Sequence, residues 1–221
     1  MSGTKAMMNS RHNILQRLRQ YRTSMPAHEQ MENPTAGVVE VENKVGAFTA
    51  AMEAAHGEVI PTTSEHWRRD LFEHLRAQAI HNLMIADQSR FADLLLQENT
   101  GIELLPYNQA FESMKDDLFH RVAAGFSVAS AGIAETGTLI VKSGPGEPRT
   151  LSLVPPVNYV WLDANTLYQN QFEAFADKEY MKPLPTNLLL ISGPSKTADI
   201  QQTLAYGAHG PKRLIVLLID G

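Results

Sequence analysis

Cysteine is absent from the 221 residues of this chain, which excludes disulfides, thiol nucleophiles and thiolate-held iron–sulfur clusters within it. Any redox chemistry it serves has to use a partner protein or a borrowed cofactor. Positive charge is not in excess: 19 Lys and Arg stand against 24 Asp and Glu, for a net charge of −5. Without basic blocks, the chain lacks an electrostatic footprint for nucleic acid or an anionic membrane surface. No apolar run reaches the ~20 residues that cross a bilayer, and residues 1–10 lack the apolar core of a secretion signal. The expectation is a cytoplasmic protein. Catalytic fingerprints are missing too. There is no GxSxG elbow, no GxGxxG turn and no HExxH pair, since Glu73-His74 has no second histidine in register. His74 and His81 would lie two helical turns, ~10 Å, apart, too far to share an ion held at ~2.1 Å. No metal site is expected, and His66, His74 and His81 read as surface or half-buried residues.

What is present is a helix–strand alternation long enough for one substantial α/β core. Ile14, Leu15, Leu18 and Tyr21 recur at helical spacing among arginines, predicting a basic amphipathic helix over residues 10–22. Residues 23–38, with Pro26 and Pro34, read as a linker, so residues 1–38 form an arm and residues 39–221 the main domain. Helices are expected over 43–55, 64–79 and 91–97, with strands over 58–60, 82–86 and 102–105. This pattern argues for a mixed, mostly parallel sheet flanked by helices. Residues 125–143, 151–154 and 157–162 form a strand-rich stretch without room for crossover helices, so antiparallel strands are expected there. A helix or loop near 169–180 follows, then strands over 187–191 and 213–219.

Four constellations could carry chemistry. In Ser192-Gly193-Pro194-Ser195-Lys196-Thr197-Ala198-Asp199-Ile200, the turn after an apolar strand is expected to open a helix capped by Ser195 and Thr197. Its free N–H groups and Lys196 would hold a carboxylate or phosphate; a cap serving stability alone explains the same letters. Ala134-Glu135-Thr136-Gly137-Thr138 sets a carboxylate in an apolar neighbourhood. Glu135 is either an acid, base or nucleophile at a strand end, with Thr136, Gly137 and Thr138 around a ligand, or part of a tight hairpin. Lys142 to Arg149 is a Gly/Pro turn in which Arg149 either reaches an anion or is simply solvated. His209, between Gly207 and Gly210-Pro211, is either a general acid or base or a structural histidine.

Taken in order, four motifs resemble the lactate-utilisation protein C family, the LUD-domain proteins. They are Ala134 to Thr138, Arg149 with Leu151 to Pro156, Gly193 to Ile200, and Gly207 to Pro211. Gln201 stands where the family's pattern has glutamate after Ala198-Asp199-Ile200. The resemblance implies a fold like that of the CoA-transferase and ribose-phosphate-isomerase group. It also implies a part in oxidising L-lactate to pyruvate beside cysteine-rich iron–sulfur proteins, with no cofactor in this chain. Glu135, Ser195, Lys196, Thr197, Asp199 and His209 carry over as motif positions. The expectation is a small carboxylate held by Lys196, Ser195 and Thr197, faced by Glu135 and His209 as proton-transfer candidates. Acyl transfer on Glu135, or a scaffold for redox partners, are the alternatives.

Overall fold

Leu214, Val216 and Leu218 pack into one apolar core while Ile215, Leu217 and Ile219 pack into another. A strand whose alternate side chains are all buried must lie in a sheet covered on both faces. The structure, a computed structural model, describes residues 12–17, 19, 42–98, 100–177, 182, 185–198, 204–207 and 210–221. The chain divides into two units, Met1–Val39 and Glu40–Gly221. In the first, residues 12–17 and 19 are helical; the expected linker over 23–38 lies outside the described residues.

In the second unit α1 (Lys44–Ala54), β1 (Glu58–Thr62), α2 (Trp67–Ala77), β2 (Asn82–Ala86), α3 (Ala92–Leu96) and β3 (Glu103–Tyr107) alternate as expected. Then come α4 (Phe111–His120), β4 (Ala124–Val128), β5 (Ala131–Ile133), β6 (Thr138–Lys142), α5 (Arg149–Leu153) and β7 (Val157–Asp163). A 3-10 turn (Ala164–Thr166), β8 (Leu167–Tyr168), α6 (Gln171–Ala176), β9 (Leu188–Ile191), β10 (Lys196–Ala198), β11 (Leu204–Tyr206) and β12 (Arg213–Ile219) complete it.

Six strands form a sheet in the order β1-β12-β7-β4-β2-β3, every pair parallel. Trp67, Leu71, Phe72 and Leu75 of α2 recur at helical spacing and are buried with one face of this sheet. Phe48 and Met52 of α1 are buried with part of the other face, and α1 is started by Asn43, whose side-chain oxygen accepts the Gly46 N–H at 2.9 Å. The antiparallel strands expected from the middle stretch form a second sheet, β8-β5-β6-β9, whose Leu139 and Val141 share the core of Phe48 and Met52. The mixed, mostly parallel α/β fold with flanking helices holds.

Three local expectations are corrected. Residues 151–154 do not extend as a strand, because Pro148 at φ −61° starts the helix α5. The helix α4 was not expected; its buried residues are Met114 and Leu118, set among Glu112, Lys115, Asp116 and Asp117. No helix follows Ser195: Lys196–Ala198 is a strand paired antiparallel with Leu204–Tyr206. The Ser195 N–H donates to the Pro211 carbonyl and the Ser195 carbonyl accepts the Gly207 N–H. These longer-range backbone bonds outweigh the local capping signal.

Candidate functional site

From β2 the chain moves outward to β3 at the sheet edge, then returns to β4 on the other side of β2 and continues to β7. Strand order thus reverses between β2 and β4, and in open parallel sheets the crevice outside the carboxyl ends at such a reversal is where ligands bind. The described residues contain a cavity of about 340 Å³ there. Ser89 and Arg90 line it from beyond β2, Val128 from the end of β4 with Ala129 and Ser130 just after it, and Trp161 and Asp163 from β7. Lys142 at the end of β6 and Glu147 from the following turn complete the wall.

Arg90 is the crevice's aromatic-mounted cation. Its guanidinium carbon lies 4.1 Å from the Trp161 ring centroid and 4.7 Å from that of Phe91. Phe91 and Trp161 rings are themselves 5.1 Å apart, so the cation rests on a preformed platform. The residue is exposed, yet partial cover of its head lowers its pKa, with the charge of Asp163 acting in the opposite direction. It remains a cation. Asp163 is engaged elsewhere: its Oδ1 accepts the Asn165 N–H at 2.9 Å and the Asn165 amide at 3.0 Å. Burial lowers the pKa of Lys142, and Asp177 counters that.

Glu147 enters through a tight turn in which Gly144 and Glu147 exchange both backbone hydrogen bonds at 3.0 Å. Gly146 brings this turn against the loop after β2: a Cβ there would stand 2.6 Å from the Gln88 carbonyl oxygen. Glu147 is buried, and its Oε2 accepts the Val128 N–H at 2.7 Å. Beneath it Ser127 donates to Asn158 at 3.1 Å, and both are fully buried. Burial pushes the Glu147 carboxyl up to about 8, against the opposing effects of Val128 and Ser127.

The described residues that the sequence offers as catalytic or anion-binding do not line this crevice. Glu135 and Thr136 are exposed in the turn joining β5 to β6, and the Glu135 N–H donates to the Gln169 carbonyl. The hydroxyls of Thr136, Thr138 and Ser192 form a chain with spacings of 2.6 and 2.7 Å. This brings the first motif against the third. Gly137, at φ +59°, does allow a close approach, but to the Met52 backbone nitrogen, 2.4 Å from where a Cβ would be. Gly193 is likewise set against Ala55. Gly210 packs on Ser195, Lys196 is exposed and Thr197 is the middle residue of β10. Arg149 is exposed at the start of α5; Asp199 and His209 lie outside the described residues.

The sequence reading missed Arg90, Trp161 and Asp163, and in the turn Lys142 to Arg149 it picked out Arg149 rather than Glu147; the four come from three segments with no shared motif. The signal that finds them is positional: they follow or flank the carboxyl ends of β2, β4 and β7. Among the described residues no group of three or more His, Cys, Asp or Glu could hold a metal ion, and no helix is long and apolar enough to cross a membrane.

Fold and crevice define an open-sheet α/β protein with its candidate site at the strand-order reversal. Within that class the chain belongs to the LUD-domain family, whose model matches residues 26–219, in agreement with the resemblance carried by its motifs. It is 38% identical over 223 residues to an uncharacterised protein of Neisseria meningitidis serogroup B, covering 96% of this chain and 94% of that one. It is 26% identical to lactate utilization protein C of Bacillus pumilus, over 86% of this chain and 84% of the relative. The corresponding protein of Macrococcus caseolyticus is 25% identical over 75% and 73%. A crystal structure of a DUF162 family protein from Deinococcus radiodurans shares the fold, with a TM-score of 0.58 at 18% identity, covering 80% of this chain and 96% of that one.

Proposed function

We propose that this chain is a carboxylate-binding component of a cytoplasmic lactate-utilisation system, and that the crevice at the carboxyl ends of β2, β4 and β7 is its binding site. The names of the Bacillus and Macrococcus relatives supply the pathway. One observation carries the placement. The Arg90 guanidinium lies on Trp161 and Phe91, and among the described residues it has neither an ion pair nor a hydrogen bond; Asp163 acts on it only through space. An arginine fixed by its ring contacts while its N–H fork lacks an acceptor is prepared for a planar anion such as a carboxylate.

The loop at Ser195 and Lys196 is less suited to that task, because the strand that follows it lacks a helix N-terminus. Electron transfer in this reading belongs to separate iron–sulfur proteins, since a chain without cysteine has no thiolate to hold a cluster.

Titration calorimetry with pyruvate and L-lactate tests the placement. Arg90→Ala is expected to weaken binding about tenfold or more, the worth of one charge-assisted bidentate contact. Lys196→Ala is expected to leave it unchanged. The reverse pattern moves the anion to the Ser195 loop, and no binding by the unaltered protein ends the carboxylate reading.

A further inference from the structure

Glu147 has one oxygen that the fold accounts for and one that it does not. Oε2 accepts the Val128 N–H at 2.7 Å, while Oε1 is buried and has no hydrogen-bond partner among the described residues. The residue is 9% exposed, and no cation contributes to its environment. Trp161 Nε1, in the same wall, is also buried without an acceptor. A buried polar atom left unpaired costs ~1–3 kcal/mol, and in a native protein it calls for a specific explanation such as a catalytic role or a bound molecule.

The protonation state determines what that molecule must bring. A carboxylate buried without a cation retains its proton, so up to about pH 8 Glu147 is a neutral acid. Its Oε1 then carries a hydrogen with no partner among the described residues: the nearby Ser127 hydroxyl, which acts on the carboxyl, donates to Asn158 and is not bonded to Oε1. The other charged groups facing the crevice do not provide one. Arg90 and Lys142 are donors only, and Asp163, whose Oδ1 accepts from Asn165, makes no hydrogen bond to Oε1. The ligand therefore has to supply an oxygen with a free lone pair, in addition to the carboxylate that Arg90 takes.

We propose that Glu147 is the specificity residue of the crevice: its carboxyl donates a hydrogen bond to an oxygen on the carbon next to the ligand's carboxylate. The crevice accordingly prefers 2-oxo and 2-hydroxy acids to the unsubstituted acid of the same length. This rests on the carboxylate reading above, with Arg90 reading the acid and Glu147 its neighbour. When Glu147 loses its proton, a negative charge faces the same oxygen and the anion as a whole. Affinity then falls as the pH rises through about 8, and above that value binding takes up a proton.

Calorimetry with pyruvate and propionate at about pH 6.5 and about pH 9 tests the assignment on the full chain and on Glu147→Gln and Glu147→Leu. The unaltered protein is expected to favour pyruvate by about tenfold at the lower pH and to lose most of that preference at the higher one. Glu147→Gln keeps a donor that does not titrate, so it is expected to preserve the preference at both. Glu147→Leu is expected to bind both acids alike, with its thermal unfolding showing that it remains folded. Preference retained in Glu147→Leu overturns the assignment. So does an unaltered protein that binds both acids equally through Arg90, an outcome that leaves the carboxylate site standing. Failure of the unaltered protein to bind either acid removes both.

Discussion

Arg90 lies over Trp161, its guanidinium carbon 4.1 Å from the indole centroid, and this contact joins the loop after β2 to the end of β7. An exposed arginine would otherwise spend side-chain entropy on being held still. The aromatic face does that before a ligand arrives. Trp161→Phe keeps a face for the guanidinium and Trp161→Leu does not. Pyruvate binding in the leucine variant is expected to be about two- to fivefold weaker than in the phenylalanine variant, corresponding to the ~0.5–1 kcal/mol of such a contact. Comparing the two variants by calorimetry cancels the loss of Nε1, which both share. Equal affinities would show that the ring does not seat Arg90.

Glu147 also leaves a signature in stability. Its carboxyl titrates at about 8 in the fold against an ordinary value of 4.5. Below the ordinary value both states hold the proton, so no penalty for burying a charge arises. As pH rises from there to about 8 the unfolded chain releases the proton while the fold retains it, so stability falls by an amount on the order of 5 kcal/mol and then levels off. Urea midpoints measured across this window are expected to decline in the unaltered protein and to decline much less in Glu147→Gln. Parallel profiles would mean that Glu147 ionises freely in the fold.

Two glycines of one turn separate steric placement from turn chemistry. A Cβ on Gly146 would lie 2.6 Å from the Gln88 carbonyl oxygen, whereas one on Gly144 would meet nothing within 4 Å. Neither has positive φ, so conformational strain does not distinguish them. Gly146→Ala is expected to push the turn off the loop after β2, displacing Glu147 and costing about tenfold in pyruvate affinity, while Gly144→Ala binds normally. Equal affinities in calorimetry would show that Glu147 does not depend on that approach.

The elements that could be read from the sequence are those whose own pattern determines their burial. Alternation in Leu214 to Ile219 marks a strand covered on both faces, and Phe48 with Met52 marks the inner face of α1. Where two signals competed, tertiary bonds won. Ser195 and Thr197 have the composition of a helix cap, but the Ser195 backbone is claimed by Pro211 and Gly207, partners that no local window contains. Leu151 to Leu153 is too short an apolar run to distinguish strand from helix. The candidate site was less legible still. Arg90, Glu147 and Trp161 belong to three segments, and only the order of strands in the sheet brings them together. Glu135, conspicuous as a charge in an apolar run, is exposed at the tip of a hairpin. The turn lets its carboxylate keep its water, so its apolar neighbours impose no burial cost.

Gly137 tests that hairpin. Its φ of +59° alone makes alanine unfavourable, and the Cβ would also stand 2.4 Å from the Met52 nitrogen and 2.8 Å from the Ala51 carbonyl carbon in α1. Backbone cannot rotate aside as a side chain can, so the hairpin and α1 would have to separate. Gly101 is the natural control, with φ +78° and nothing within 4 Å of its Cβ position. Gly101→Ala is expected to cost about 1 kcal/mol, the conformational part alone. Gly137→Ala is expected to cost about 2–4 kcal/mol, because overpacking adds to the same strain. Urea denaturation of both variants measures the difference. Equal losses would mean that α1 yields readily, and that the glycine of this motif is kept for its turn rather than for the contact.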